Sequence, residues 1–179
     1  MFHVLKVLNA IVVINPLNCR FYRSSILFYL CKFTGQNKTN MSTSTRLTIH
    51  AVVNVPLSKA WDYYTGPEHI MQWNQASPDW HCPASSNDLR PGGKFSSTMA
   101  AKDGSFSFDF WGIYDEVDNH KKIAYTMGDG RKADVLFQDN GSSTAITVHF
   151  EPENQNSLEL QQGGWQAILD SYKKYTEGN

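Results

Sequence analysis

The clearest structural signal in this chain lies in residues 103–151, DGSFSFDFWGIYDEVDNHKKIAYTMGDGRKADVLFQDNGSSTAITVHFE. Asp-Gly or Asn-Gly pairs occur at Asp103, Asp129 and Asn140, and Asp118-Asn119 lies between the first two. Such pairs are typical of tight hairpin turns in which both central residues have positive φ. Because the stretches between them alternate apolar and polar residues, the segment predicts successive antiparallel strands joined by short turns.

The predicted sheet has one apolar face. With the stretch just upstream, the predicted strands are Gly93–Lys102, Ser105–Val117, Lys121–Met127, Arg131–Gln138 and Ser143–Glu151. The residues assigned to the apolar face are Phe95, Met99, Phe106, Phe108, Phe110, Tyr114, Ile123, Tyr125, Val135, Phe137, Ile146, Val148 and Phe150. The other face carries mainly Ser, Thr, Asp, Lys and His, so we expect only the apolar face to be covered.

One further strand and two short helices are predicted upstream. Apolar residues alternate over residues 47–55, and Pro56 ends that strand. Ser58 is the candidate N-cap of a first helix. Pro67 is typical of the first turn of a second helix, which we expect to end at Trp73.

The segment that covers the apolar face is predicted at the C-terminus. Asn156 followed by Glu159 resembles a capping box, and an amphipathic helix follows. Gly163-Gly164 costs that helix about 1 kcal/mol per glycine relative to alanine, so we expect a kink or the close approach of another backbone or a ligand there. The apolar stripe of the helix consists of Leu158, Trp165, Ile168, Leu169, Tyr172 and Tyr175. A curved sheet around this helix leaves an apolar gap unless side chains fill it.

Length and charge fit a single globular domain and exclude one class of partner. The chain has 179 residues, of which 41% are hydrophobic and 18% charged, as expected of a protein with a packed core. It has sixteen basic and seventeen acidic residues, and five of the basic ones but none of the acidic ones precede Met41. The rest is therefore acidic and lacks the Lys and Arg clusters that attract phosphates, so no nucleic-acid partner is expected.

The first forty residues differ from the rest. We predict that residues 1–40 are an N-terminal extension, disordered or absent from the mature protein, with a secretion signal or a transit peptide as alternatives. Their apolar stretches, Val4–Ile14 and Ile26–Phe33, are shorter than the roughly 20 residues that span a bilayer, so no stable membrane insertion is expected. Beyond them Cys82 is the only cysteine. No disulfide framework is predicted, and a cytoplasmic location is expected for the domain, which is assigned to residues 41–179.

Several short motifs occur in an order that is typical of one family. They are Val55-Pro56 with Trp61, Pro67-Glu68-His69 with Trp73, the run DLRPGGKF at residues 88–95, Asp103-Gly104, Gly112 with Tyr114, Tyr125-Thr126, Thr144 with Phe150, and Gly164-Trp165 with Leu169. From about Thr45 to Glu177 the chain therefore resembles the homologues of the heat-shock-protein-90 ATPase activator (AHSA-like proteins), within the START-like (SRPBCC) superfamily.

The resemblance implies an α+β helix-grip (Bet v 1-like) fold, in which a curved antiparallel sheet wraps around a long C-terminal helix and two short helices follow the first strand. It also implies an interior cavity, which relatives use for lipids, polyketides or other hydrophobic molecules and in a few cases for cyclase or lyase chemistry. We therefore expect a small soluble protein that binds a hydrophobic or amphipathic molecule, with no cofactor and no assigned catalytic residue.

Two other functions remain open. An enzyme of the cyclase or hydrolase type would use the same cavity. A co-chaperone of the stress response would have a chaperone as its partner. The eukaryotic activator engages the chaperone through a separate N-terminal domain, and residues 1–40 are too short to supply one.

The candidate ligand-binding residues lie where the predicted sheet and the C-terminal helix converge. Tyr125 and Trp165 are the strongest candidates, because each brings a polar hydrogen to an apolar wall. The full set is Trp73, Trp80, His81, Phe95, Met99, Phe108, Phe110, Tyr125, Trp165 and Ile168.

A cluster at Asp79-Trp80-His81-Cys82 combines an acid, a base and a thiol. We interpret this stretch as an irregular loop that packs Trp80 over the cavity mouth. Neighbouring residues in an extended chain point to opposite sides, so His81 and Cys82 need not meet, and no catalytic role is assigned. Tyr125, His81 and Asp79 are loose candidates if the cavity performs proton transfer. The histidines lack metal-ligand spacing, so no metal site is predicted.

Overall fold

The computed structural model describes residues Arg46–Asn179, and the predictions for residues 1–40 lie outside this range. In chain order the described elements are β1 (Leu47–Val53), α1 (Leu57–Thr65), α2 (Pro67–Trp73), β2 (Trp80–Asn87), β3 (Lys94–Ala101), β4 (Ser107–Asp118), β5 (Lys122–Met127), β6 (Lys132–Asp139), β7 (Thr144–Phe150) and α3 (Leu158–Gly178). The predicted strands and helices are confirmed to within about two residues at the ends that were specified, and β2 is an additional strand.

The strands form one curled antiparallel sheet in the order β1-β7-β6-β5-β4-β3-β2. Each neighbour pair is antiparallel, as short hairpins require. The register shifts between Tyr114 and Glu116 where β4 meets β5, and such a bulge bends a strand and increases its twist. With α3 packed against the sheet, this arrangement confirms the predicted helix-grip fold.

Strand β2 occupies the stretch that we predicted to be an irregular loop, and that prediction is wrong. It pairs with β3 from Trp80 opposite Ala101 to Asn87 opposite Phe95. The register shifts just beyond His81, next to Pro83, which has no N–H to donate. Proline is tolerated in a strand at such a bulge or at a sheet edge, and β2 is an edge strand.

The hairpin turns differ in conformation from the prediction. At Asp103-Gly104 only the glycine has positive φ, 74°, and the same holds at Asp129-Gly130 and Asn140-Gly141. The Asp103 carboxylate instead accepts a bond from the backbone N–H of Ser105 at 2.9 Å. An aspartate that bonds the backbone two residues onward stabilises a turn without positive φ of its own.

Helix α3 packs against the concave face of the sheet, and most residues predicted for the apolar faces of α3 and of the sheet are confirmed. Two residues predicted to lie on these apolar faces are exposed instead. Leu158 is 42% exposed in the first turn of α3, and Phe106 is 39% exposed because it precedes the start of β4. The confirmed core residues of α3 are Trp165, Ile168, Leu169, Tyr172 and Tyr175.

Side chains of α3 also cover the free edge of β1. An uncovered edge strand presents unpaired backbone groups that can pair with another chain. Here polar side chains spaced along α3 donate to the outward carbonyls of β1. The bonds run from Gln162 Nε2 to Thr48 O (2.8 Å), from Gln166 Nε2 to His50 O (3.2 Å) and from Lys173 Nζ to Val52 O (2.6 Å).

The helix caps lie at other residues than predicted. Pro56, not Ser58, is the N-cap of α1, because the helix begins at Leu57 and its first carbonyl acceptor is that of Pro56. Ser157, not Asn156, caps α3, and its Oγ accepts from the N–H of Leu160 at 3.2 Å.

The glycine pair lies inside an unbroken helix. A Cβ at Gly163 would meet nothing within 4 Å, so the predicted close approach is wrong at this position. Gly164 is buried.

Candidate functional site

A cavity of about 120 Å³ lies between the concave face of the sheet and helices α1, α2 and α3. Its position is a consequence of the fold, because a curled sheet around α3 encloses space that the side chains do not fill. Asn74, Ser85 and Ser86 are the least buried polar residues in its wall, so the mouth lies between the end of α2 and β2. The lining residues are Ile49, Tyr64, Thr65, Ile70, Trp73, Asn74, Ser85, Ser86, Phe95, Ser97, Met99, Phe110, Tyr114, Ile123, Tyr125, Val148, Trp165, Ile168 and Leu169.

Seven of the ten predicted site residues lie in this wall. Two pairs of aromatic rings among them pack edge to face, a favoured geometry for aromatic pairs. The Phe95 and Tyr125 rings lie 5.0 Å apart at 79°, and the Phe110 and Trp165 rings lie 6.2 Å apart at 88°. The seven residues are Trp73, Phe95, Met99, Phe110, Tyr125, Trp165 and Ile168.

The structure places the other three predicted residues outside the wall. Trp80 and Phe108 belong to a second, smaller apolar cluster with Cys82 at the β2 end of the sheet. Their rings contact each other at 6.1 Å, so Trp80 packs in that cluster and does not close the mouth. His81 pairs with Ala100 and points to the face opposite Trp80, as the alternation of a strand requires.

Two tyrosine hydroxyls in the wall have no protein partner among the described residues. They belong to Tyr64, on α1, and to Tyr125, on β5. Neither tyrosine oxygen is fully enclosed. Among the described residues, the unpaired side-chain atoms without accessible surface are Ser77 Oγ, Trp165 Nε1 and Thr176 Oγ1. A ligand that enters the cavity can therefore reach a hydroxyl that the protein leaves unsatisfied.

A third tyrosine is held in place by a hydrogen-bond chain. The hydroxyl of Tyr114 donates to Asn87 Oδ1 at 2.8 Å, and Asn87 Nδ2 donates to the carbonyl of Thr65 at 2.7 Å. This chain joins β4, β2 and α1 at one end of the cavity. It fixes the wall without using the hydroxyls of Tyr64 and Tyr125.

Burial keeps these tyrosines neutral. It raises the pKa of Tyr125 well above the ordinary tyrosine value, and the neighbouring Tyr114 hydroxyl raises it further. Burial raises the pKa of Tyr64 in the same way, with Tyr125, Tyr172 and Tyr114 adding to the effect. A raised pKa means that the O–H form persists, so each hydroxyl can donate a hydrogen bond at neutral pH.

The indole N–H of Trp165 is also unpaired. Nε1 has almost no accessible surface and no partner within the described part of the chain. The ring stacks on Phe150 at 4.1 Å and 6°, which fixes its plane. A buried donor without an acceptor costs about 1–3 kcal/mol, so Trp165 adds an unsatisfied donor to this wall.

The polar lining residues are tyrosine, serine, threonine and asparagine. No Asp, Glu, Lys, Arg, His or Cys is among the lining residues in the range 46–179. Cys82 is buried in the second cluster, and burial raises its thiol pKa above the ordinary value, which disfavours the reactive thiolate. The wall can therefore enclose an apolar body and hydrogen-bond one polar end.

Several lining residues were not predicted. Tyr64 lies on α1, for which no site residue was predicted, and Ser85 and Ser97 bond to each other at 3.1 Å across two strands. Because serine is polar, the sequence did not indicate that Ser85 and Ser97 face the cavity. If β2 had been predicted as a strand, its pairing with β3 would have placed Ser85 opposite Ser97 and identified both as residues of the cavity wall.

Between Arg46 and Asn179 no three His, Cys, Asp or Glu side chains are grouped as a metal site would require. No helix in that same range is long and apolar enough to cross a membrane.

Comparison with known proteins identifies the family. The family described as "Activator of Hsp90 ATPase homolog 1-like protein" matches residues 54–177. The chain belongs to this family. Its fold agrees with the START-like superfamily to which the sequence resemblance pointed.

Solved structures support this assignment. An AHSA1-like protein from Aeromonas hydrophila is 38% identical, with a TM-score of 0.72, and the match covers 75% of this chain and 93% of that one. A protein from Cytophaga hutchinsonii is 54% identical, with a TM-score of 0.65 and the same two coverages. A protein from Nitrosomonas europaea, at 23% identity, TM-score 0.66 and coverages of 77% and 97%, shares the fold. No curated protein matches the chain.

Proposed function

We propose that this AHSA1-like domain binds a small hydrophobic or amphipathic molecule in the cavity between the sheet and α3. The observation that carries the proposal is the combination of an apolar, aromatic-lined cavity with two unpaired tyrosine hydroxyls in its wall. Small-molecule sites are commonly concave and apolar with a few polar groups that fix orientation. The aromatic wall would supply most of the binding free energy, and Tyr125 would orient the polar end of the ligand.

Binding can be tested on the full chain purified from its expression host. Native mass spectrometry is compared with denaturing mass spectrometry, and any small molecule released by denaturation is extracted and identified. We expect an excess mass under native conditions that disappears on denaturation, because burial of the ligand against the aromatic wall favours its retention and unfolding removes that wall.

A matched variant locates the retained molecule. Ser97→Leu places a larger side chain in the wall, where Ser97 is 5% exposed, and should abolish the excess mass. Ser142→Leu, at an exposed turn residue outside the wall, should leave it intact. An excess mass that survives Ser97→Leu would contradict binding in this cavity.

A chaperone-partner function is the second proposal, and the description of the family favours it. It would use the outer surface, where Trp111 and Ile113 of β4 are 39% and 36% exposed. The test measures the ATPase rate of the chaperone with the full chain and with a Trp111→Ser variant. Stimulation that the variant loses would support this function, and an unchanged rate with the wild-type chain would remove it.

A further inference from the structure

We infer that the ligand of this cavity is a compact, uncharged molecule with a carbonyl-type acceptor, such as an aryl ketone, ester or amide. The inference rests on the proposed function and narrows it to one chemical class. It departs from the lipids and polyketides that the resemblance to the superfamily implies.

The size of the cavity sets the first limit. A cavity of about 150 Å³ with apolar walls is sufficient for benzene, whereas drug-sized ligands occupy roughly 300–1,000 Å³. At about 120 Å³, the cavity is close to the size for a single ring, so any substituent must be short and must extend toward the mouth. A long acyl chain would have to displace the packed rings of Phe95, Phe110 and Trp165.

The absence of charge sets the second limit. None of the lining residues within the range 46–179 carries a charge at neutral pH. Burying an ion without a partner of opposite charge costs far more than an apolar contact returns. A carboxylate or an ammonium group in the cavity would find no such partner, so the ligand is neutral.

The unpaired hydrogen-bond donors in the wall set the third limit, which concerns the polar group of the ligand. The hydroxyl hydrogens of Tyr64 and Tyr125 have no acceptor, and the indole N–H of Trp165 has none either. Of the other polar lining groups, Ser85 bonds Ser97, Thr65 donates its hydroxyl to the Trp61 carbonyl and Tyr114 donates to Asn87. Asn74 and Ser86 lie at the mouth, where water can reach them. A ligand that brings an acceptor balances these donors better than one that brings another donor, and a carbonyl oxygen has two lone pairs.

Three probes of nearly equal shape separate these limits. Acetophenone carries the carbonyl, α-methylstyrene replaces the C=O by C=CH₂, and benzoate replaces the methyl ketone by a charged carboxylate. Dissociation constants are measured by titration calorimetry or NMR with the full chain. The quantity of interest is the Kd of α-methylstyrene divided by that of acetophenone, compared between variants, because this comparison cancels the different hydration of the two probes.

Removing one hydroxyl should change that ratio. In Tyr125→Phe we expect it to fall about two- to tenfold, the range that the loss of one net hydrogen bond produces, and Tyr64→Phe should act in the same direction. Neither hydroxyl has a protein partner, so both variants should fold. Tyr175→Phe is the matched control, because Tyr175 lies outside the wall and bonds His69 at 3.0 Å, and it should leave the ratio unchanged.

The outcomes distinguish this inference from the proposed function. We expect benzoate to bind at least about a hundredfold more weakly than acetophenone, in line with the cost of an unpaired buried charge. If none of the probes binds, the proposed function fails together with the inference. If the neutral probes bind but both hydroxyl variants keep the wild-type ratio, or if benzoate or methyl laurate binds more tightly than acetophenone, the inference is overturned and the binding function stands.

Discussion

Gly112 in β4 supports one wall of the cavity, and replacing it by alanine should destabilise the protein. A Cβ at this position would lie 2.7 Å from Cζ of Phe95 and 2.7 Å from the backbone oxygen of Thr126. Real Cβ contacts are never so short, so something must move. The Thr126 oxygen is backbone and cannot shift cheaply, and the Phe95 ring is packed against Tyr125 at 5.0 Å and Tyr114 at 5.2 Å.

The magnitude follows from this geometry. Overpacking a well-packed core costs about 1–3 kcal/mol, and the loss of glycine flexibility in the unfolded chain returns about 0.4–1 kcal/mol. We therefore expect Gly112→Ala to lower the free energy of unfolding by about 1–2 kcal/mol. The side chain that gives way is Phe95, so the cavity should shrink as well.

Gly163→Ala is the matched control. A Cβ there meets nothing within 4 Å, and the residue lies inside α3. Alanine is favoured over glycine in a helix interior by about 1 kcal/mol, so this variant should be stabilised by about that amount. Urea denaturation followed by tryptophan fluorescence gives both values. Equal stabilities for Gly112→Ala and the wild type would refute the packing argument, as would a destabilised Gly163→Ala.

Three other predictions concern ionisation, thiol access and the sheet edge. Burial raises the pKa of Tyr64, Tyr125 and Tyr172, so the unfolded chain ionises first. The contribution of these tyrosines to the free energy of unfolding should be fully present below about pH 10. Above that pH the free energy of unfolding should fall by up to about 1.4 kcal/mol per pH unit per tyrosine. Denaturation at rising pH would measure this, and a profile that stays flat would contradict it. Cys82 should react with iodoacetamide only after unfolding, because burial raises its pKa, and peptide mass mapping would expose any native-state labelling. Replacing Gln162 and Gln166 of α3 by alanine should cost less than about 1 kcal/mol, since the freed β1 carbonyls can bond water, but should promote self-association visible in size-exclusion chromatography; a variant that stays monomeric at high concentration would argue against edge protection.

The strands of the hairpin region could be predicted because their physics is local. Alternation places one residue in two on the buried face, a glycine after Asp103, Asp129 or Asn140 marks three of the turns, and Asp118-Asn119 marks the fourth. The stripe of α3 follows from the same reasoning at helical spacing, so Trp165, Ile168 and Tyr125 could be placed near one another. These regularities were sufficient for the fold and for seven of the nineteen residues that line the cavity.

The remaining features depend on tertiary contacts that no local pattern encodes. Strand β2 contains Pro83 and a run of small residues, and it is a strand because β3 pairs with it. Trp80 and Phe108 are large aromatic residues like those that line the cavity, but they lie at the β2 end of the sheet and pack in a separate cluster with Cys82. Whether a hydroxyl such as that of Tyr64 finds a partner is decided by all surrounding elements together.

The most direct test of the binding proposal is an NMR measurement of intermolecular NOEs between bound acetophenone and the full chain. Binding in the cavity predicts contacts from the ring protons of the probe to the methyl groups of Met99, Ile123 and Ile168, which line the wall from two strands and a helix. Contacts confined to exposed residues of the outer face, such as Trp111 and Ile113, would contradict it.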